Sequence, residues 1–192
     1  MLRESLYKIY RKAIKNLPRF ESEYFYVLIP QKNLQNNKAV EISYSTLSAN
    51  NIDTLPEHIQ KVFLQRLSTT NDKGYAYLND KHSFTFLWVA ISGSILKIRE
   101  IGKEVKVNEN EAWIYHVHTS EKYRNKGLST KLLKETIDTL QSANTRKIHC
   151  YTRNNNYSMQ TVLKKNGFKL YHKYFMLTVF NKSFCIFSRA VD

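Results

Sequence analysis

Residues 111–152, "EAWIYHVHTSEKYRNKGLSTKLLKETIDTLQSANTRKIHCYT", narrow the fold more than any other part of the chain. An alternating strand pattern, "EAWIYHVHT", runs into a basic turn; a leucine-bearing helix pattern over 128–141 then leads to a second strand, "RKIHCYT". The chain has only five glycines, and Gly127 stands in that turn directly ahead of the helix. A helix start exposes backbone N–H groups and the positive end of its dipole, so it can hold an anion without any side chain. Gly127 permits a turn and a close approach, Arg124 and Lys126 add charge, and Ser129 or Thr130 offers a hydroxyl. The turn is neither a Walker loop nor a dinucleotide fingerprint: "RNKGLS" lacks the G-x-x-x-x-G-K-[ST] spacing and has one glycine of G-x-G-x-x-G.

Around this unit the pattern is rich in strands. Leu2, Leu6, Ile9, Ala13, Ile14 and Leu17 recur at helical spacing and end at Pro18, which predicts an amphipathic helix. "YFYVLIP" and "AVEISYSTL" read as strands. "DTLPEHIQKVFLQRL" reads as a helix capped by Asp53 or Thr54, with Ile59, Val62, Phe63 and Leu67 on one face. "GYAYLND" and "FTFLWVAISG" flank a turn as a hairpin, and "ILKIREIG" reads as a further strand. A short helix over 158–165 and strands "KLYHKYFML" and "FCIFSRA" complete the pattern. We expect one α+β domain over 1–192, a mixed and mostly antiparallel sheet with helices on both faces, carrying residues 1–20 as an N-terminal helical extension.

Hydrophobic residues at 42% and aromatics at 13% exclude a disordered chain. No apolar run reaches the roughly 18 residues that span a bilayer. "MLRESLYKIYRKAIKNL" has Arg and Lys among its apolar positions, unlike a signal peptide, so a cytoplasmic protein is expected. Cys150 and Cys185 sit in apolar strand runs and read as small hydrophobes; no Cys or His spacing predicts a metal. The net charge is +14, and residues 121–192 hold 14 Lys and Arg against four acids. A field of that sign suits a polyanion: nucleic acid, an acidic membrane surface or a phosphate-bearing small molecule.

Two blocks carry a family resemblance. "TSEKYRNKGLSTKLL" resembles the acetyl-CoA signature of GNAT-superfamily N-acetyltransferases, [QR]-x-x-G-x-[GA], with Arg124 and Gly127 in register and Ser129 where a second small residue is usual. About thirty residues on, "NNNYSMQTVLKKNGF" is similar to the family's N-x-x-[AS]-x-x-x-Y-E-K-x-G-F segment, with Asn156 and Gly167-Phe168 matching. The resemblance implies acetyl-CoA as cosubstrate. The backbone of Val117, His118 and Thr119 would pair with the pantetheine arm. The turn formed by Arg124, Asn125, Lys126, Gly127, Leu128, Ser129 and Thr130 would cradle the pyrophosphate, and Asn156 would lie beside the pantetheine or the thioester.

The proton-handling positions depart from the family pattern. Where relatives carry Glu or His nine or eleven residues before the signature Arg, this chain has Tyr115 and Trp113; where they carry an acidic tyrosine, it has Leu163. His116 and His118 are the candidate bases, although simple alternation turns both to the face opposite Tyr115 and Val117 unless a bulge intervenes. Glu111 or a water chain is the alternative base, and Tyr157 is the candidate acid. A looser resemblance, over "WVAISGSILKIREIG" and the turn, is to a bacterial subgroup associated with envelope polysaccharide. It implies a small primary amine, an amino-sugar or nucleotide-linked amino-sugar, as acceptor. Peptide or protein amines, a noncatalytic acyl-CoA sensor and a nucleic-acid binder are the competing classes. The aromatics fall within strand patterns, which argues for core and against a nucleic-acid partner. The sequence leaves open whether the N-terminal helix packs on its own domain, forms a homodimer or touches a membrane.

Overall fold

The computed structural model describes residues 19–29, 43–48, 53, 55–69, 71–78, 83–179 and 182–191. Most of the expected N-terminal helix lies outside these residues, and Arg19 and Phe20 belong to a strand. The strands are β1 (Arg19–Leu28), β2 (Ser43–Leu47), β3 (Lys73–Leu78), β4 (Ser83–Ala90), β5 (Ile95–Ile98), β6 (Lys103–Lys106), β7 (Glu111–Thr119), β8 (Lys147–Arg153), β9 (Lys169–Val179) and β10 (Lys182–Ala190). The helices are α1 (Glu57–Thr69), α2 (Leu128–Ser142) and α3 (Tyr157–Lys165).

Eight strands form one sheet in the order β10-β9-β1-β8-β7-β4-β3-β2, and β5 and β6 pair separately. Among the described residues β7 and β8 are parallel, while the other neighbouring strands run antiparallel. Parallel strands need a long crossover, and α2 supplies it. The stretch read as one strand, Ile95–Gly102, instead bends through a 3-10 turn at Arg99–Ile101 and returns as β6.

Alternation along the strands sorts the core onto two faces. Phe25, Phe86, Trp88, Trp113 and Tyr115 face one side and pack with Ile59 and Phe63 of α1. Tyr26, Leu87, Val89, Ile114 and Ile148 face the other and meet Leu132, Leu133, Ile137 and Leu140 of α2 with Leu163 of α3. Helices therefore cover both faces, as the pattern predicts. Helix α1 begins two or three residues later than its expected caps, because the Pro56 carbonyl accepts the first bonds from the N–H groups of Ile59 and Gln60. Val62 does not join the buried face of α1; it is 42% exposed and borders a cavity described below.

β1 comes from the beginning of the described chain yet lies between β8 and β9, with Glu23 opposite Arg153 on one side and Tyr174 on the other. Phe63 pins α1 to the sheet: it is fully buried, and its ring centroid is 4.6 Å from that of Trp88 and 5.1 Å from that of Phe86. Phe63→Ala should cost about 3–5 kcal/mol of stability, read as a lower urea midpoint with an unchanged slope.

Candidate cofactor and acceptor site

The β7–β8 ladder runs from Glu111 opposite Lys147 to Ile114 opposite Cys150 and then ends. β7 nevertheless stays paired to β4 as far as Thr119. Trp88 pairs with Tyr115 and Phe86 with His118, so His116 and Val117 together oppose Leu87. This is a β-bulge, and His116 sits at φ 52°, a left-handed conformation unusual for a residue other than glycine. The bulge corrects the simple-alternation expectation. His116 lies 5.9 Å from the ring of Phe86 and 6.0 Å from that of Phe63, and His118 stacks on Phe86 at 5.1 Å, so both share the α1 side with Tyr115. Val117 packs on the α2 side.

The turn beyond β7 is held from several directions. Ser120 N–H donates to the Phe84 carbonyl, the Tyr123 ring meets Phe84 edge-on at 4.5 Å, and Arg124 Nε donates to the Thr119 carbonyl at 3.2 Å. Asn125 (φ 60°) and Gly127 (φ 74°) are left-handed, with Lys126 between them outside that region. Left-handed residues in a turn are the kind of backbone from which anion-binding nests of N–H groups are built. A Cβ on Gly127 would meet nothing within 4 Å, so glycine is required there by its φ and not by lack of space. Among the described residues no side chain caps α2, whose N-cap is Gly127, and no acid stands in its first turn. By contrast, Asn156 caps α3 through Oδ1, which accepts from Met159 N–H at 3.1 Å. The uncapped start of α2, with its open nest, fits a pyrophosphate.

Beside the divergent strands lies a cavity of about 800 Å³, bordered by α1, β1, β5, β7, β8 and the start of α3. It gathers three acids (Glu23, Asp72, Glu100), three bases (Arg66, Lys97, Arg153) and the rings of Tyr115 and Tyr151. Tyr115 donates a short hydrogen bond to Asp72, and burial pushes its hydroxyl pKa well up. Arg66 lies over the Tyr115 ring at 5.1 Å and reaches His116 Nδ1 at 3.0 Å. Burial, followed by the charges of Arg66 and His118, lowers His116 to about 4. The His116 nitrogen facing Arg66 must accept that bond, which leaves His116 a weak base.

Among the other expected residues, Asn156 and Val117 border the cavity, while His118 and Tyr157 do not. Tyr157 is 73% exposed. Glu111 stands at the far end of β7, paired with Lys147 at 3.6 Å and His149 at 4.0 Å. Leu163 is fully buried under the sheet. Sequence reading missed Glu23, which is 2% exposed and borders the cavity. Its one visible signal is an acid inside the strand "FESEYFYVL". Burial, then Glu100, raises Glu23 to about 7 against the opposing pull of Arg153.

The sequence model of the Acetyltransferase (GNAT) family matches residues 53–168. No curated protein matches the chain. Among solved structures, a GNAT-family protein from Novosphingobium aromaticivorans aligns with TM-score 0.54 at 13% identity over 81% of this chain and 62% of its own. A GCN5-related N-acetyltransferase from Sphaerobacter thermophilus aligns with TM-score 0.60 at 10% identity over 95% of this chain and 56% of its own. AAC(6')-Iy, in complex with the bisubstrate analogue CoA-S-monomethyl-acetylneamine, aligns with TM-score 0.51 at 11% identity over 68% of this chain and 92% of its own. The chain thus spans less than two thirds of the first two proteins, and identities this low speak to fold alone.

The two cysteines make a direct check on the cavity wall. Cys150 is buried at its edge, and burial pushes its thiol up to about 12, whereas Cys185 is exposed. A chromogenic thiol reagent at pH 8 should label one cysteine in the native protein and two after denaturation. Rapid native labelling of both would contradict this packing.

Proposed function

The chain belongs to the GNAT acetyltransferase family, and from that premise we propose that it moves an acetyl group from acetyl-CoA to the primary amine of a small molecule, an amino-sugar or a nucleotide-linked amino-sugar. The observation that carries this reading is the uncapped start of α2, with its left-handed Asn125 and Gly127, at the mouth of the gap between β7 and β8.

Acetyl-CoA supplies its acyl group as an activated thioester. The chain's part is to bind and orient. The Arg124 N–H is taken by the Glu121 carbonyl, so N–H groups from Asn125 to Thr130 hold the pyrophosphate, with the Arg124 and Lys126 side chains adding charge. Beyond Ile114 the β8-facing edge of β7 is released from the ladder, so its backbone at Val117, His118 and Thr119 serves as a pairing edge for the pantetheine arm. A backbone N–H on that edge stabilises the developing oxyanion. Asn156 keeps the start of α3 in place beside the arm.

For the acceptor, the cavity offers polar groups for hydroxyls, and the rings of Tyr115 and Tyr151 suit the face of a sugar. Lys97 and Arg153 border the same space and suit a phosphate on a nucleotide-linked sugar. The excess of seven Lys and Arg over one acid in residues 151–192 draws such an anion toward this side of the chain.

Calorimetric titration of acetyl-CoA should show saturable binding to the wild type and none to Gly127→Glu, which sets a carboxylate in the nest. Absence of binding to folded wild type up to about millimolar concentration, roughly −4 kcal/mol, would sink the reading.

A further inference from the structure

We propose that Glu23, on the inserted strand β1, is the catalytic residue that takes the proton from the acceptor's ammonium group; this rests on the acetyl-transfer reading above. Three geometric facts converge on it. Glu23 borders the cavity, it is almost wholly buried, and its strand register sets it opposite Arg153, three residues past the last β7–β8 pair. Phe25 and Tyr151 form the next same-face pair along these strands, and both belong to the α1-side core with Tyr115. Glu23 therefore looks into the divergent end of the sheet on the acceptor side.

A buried carboxylate costs stability unless it is well paired. The ion pair between Glu23 and Arg153 Nε is long, 3.7 Å, and the Arg153 side chain is 57% exposed. Other groups around it oppose its charge: Glu100 from the turn after β5, and Glu21 on its own strand. Tyr151 of β8 and Tyr174 of β9 flank it, and Lys103 of β6 lies over the Tyr174 ring at 4.8 Å. Arg66 and Asp72 stand elsewhere on the cavity wall. The outcome is a carboxyl near neutrality, where a base gives and takes protons readily. Two other titratable groups on the cavity wall are poorer bases: His116 faces Arg66, and Cys150 is locked as a thiol.

The step balances. The Glu23 carboxylate takes one proton from R–NH3+, leaving the nitrogen lone pair free to form the C–N bond as the C–S bond breaks. A second nitrogen proton ends on the departing sulfur, and the Glu23 carboxylic acid returns its proton to water.

The test uses the full chain with glucosamine as probe acceptor, following thiol release, alongside a 13C-carboxyl NMR titration that needs no turnover. The Glu23 carbon should titrate near pH 7 and its signal should be absent from Glu23→Gln. Wild-type kcat/KM should fall on the acid side of that pH, where the base is protonated. Glu23→Gln should lose the limb and about 10²–10⁴-fold in rate, and Glu23→Asp should keep the limb at reduced rate. Arg153→Gln removes a charge that lowers the Glu23 pKa, so the limb should move to higher pH; Glu100→Gln should move it lower. Glu23→Gln should be at least as stable as wild type at pH 8. A pKa raised by burial means that the ionised form weighs against folding above about 7, with relief as pH falls toward the unfolded value. A wild type that binds no acetyl-CoA sinks the acetyl-transfer reading and this proposal with it. Turnover by a protein whose Glu23 titrates in the ordinary carboxylate range, or a Glu23→Gln variant with wild-type rate and profile, overturns this proposal alone.

Discussion

The parallel ladder between β7 and β8 closes four residue pairs and then opens, while β7 remains bonded to β4 up to Thr119. Parallel pairing is slightly weaker per residue than antiparallel, so the strand that must choose between neighbours keeps its antiparallel one. The bulge at His116 and Val117 makes the choice local, because an extra residue bends the strand and increases its twist. Thr85 secures the bent end: its hydroxyl donates to the His118 carbonyl at 2.8 Å, and its Oγ1 lies 2.8 Å from that of Thr119. The opening, the released backbone and the cavity beside them all follow from that exchange of one ladder for another.

The electrostatics divide along the same seam. The turn ahead of α2 carries Arg124 and Lys126 with an uncompensated helix start, a positive region suited to phosphate. The cavity is different: its acids and bases balance in number, and its low dielectric makes each pairing matter more than at the surface. Positive charge thus collects at the turn, while the charges of the cavity are set one group at a time. His116 moves down and Glu23 up by the same first cause, burial, which disfavours whichever form is charged.

Local features were legible in the sequence. The strand–turn–helix–strand unit and the turn that Gly127 permits depend on residues within a few positions of one another, whereas the cap at Asn156 came only with the structure. The bulge was foreseeable only as a condition on alternation, because His116 carries no glycine-like signal for its left-handed φ. The β5–β6 turn was hidden because "ILKIREIG" alternates well enough to read as one strand. Glu23 was hidden for another reason. Nothing within "FESEYFYVL" tells which strands will flank it, and its surroundings come from Glu100 and Arg153, far along the chain.

β1 precedes both of its sheet neighbours, β8 and β9, by more than 110 residues. Until Lys147–Arg153 have left the ribosome β1 has neither of its final partners, and until Lys169–Val179 follow it has only one. Pairings of such long sequence separation form slowly, since the loop must close before any contact stabilises it. The strand that completes the cavity wall is thus the one for which vectorial synthesis imposes the longest wait, and assembly of the centre of the sheet is a late folding event.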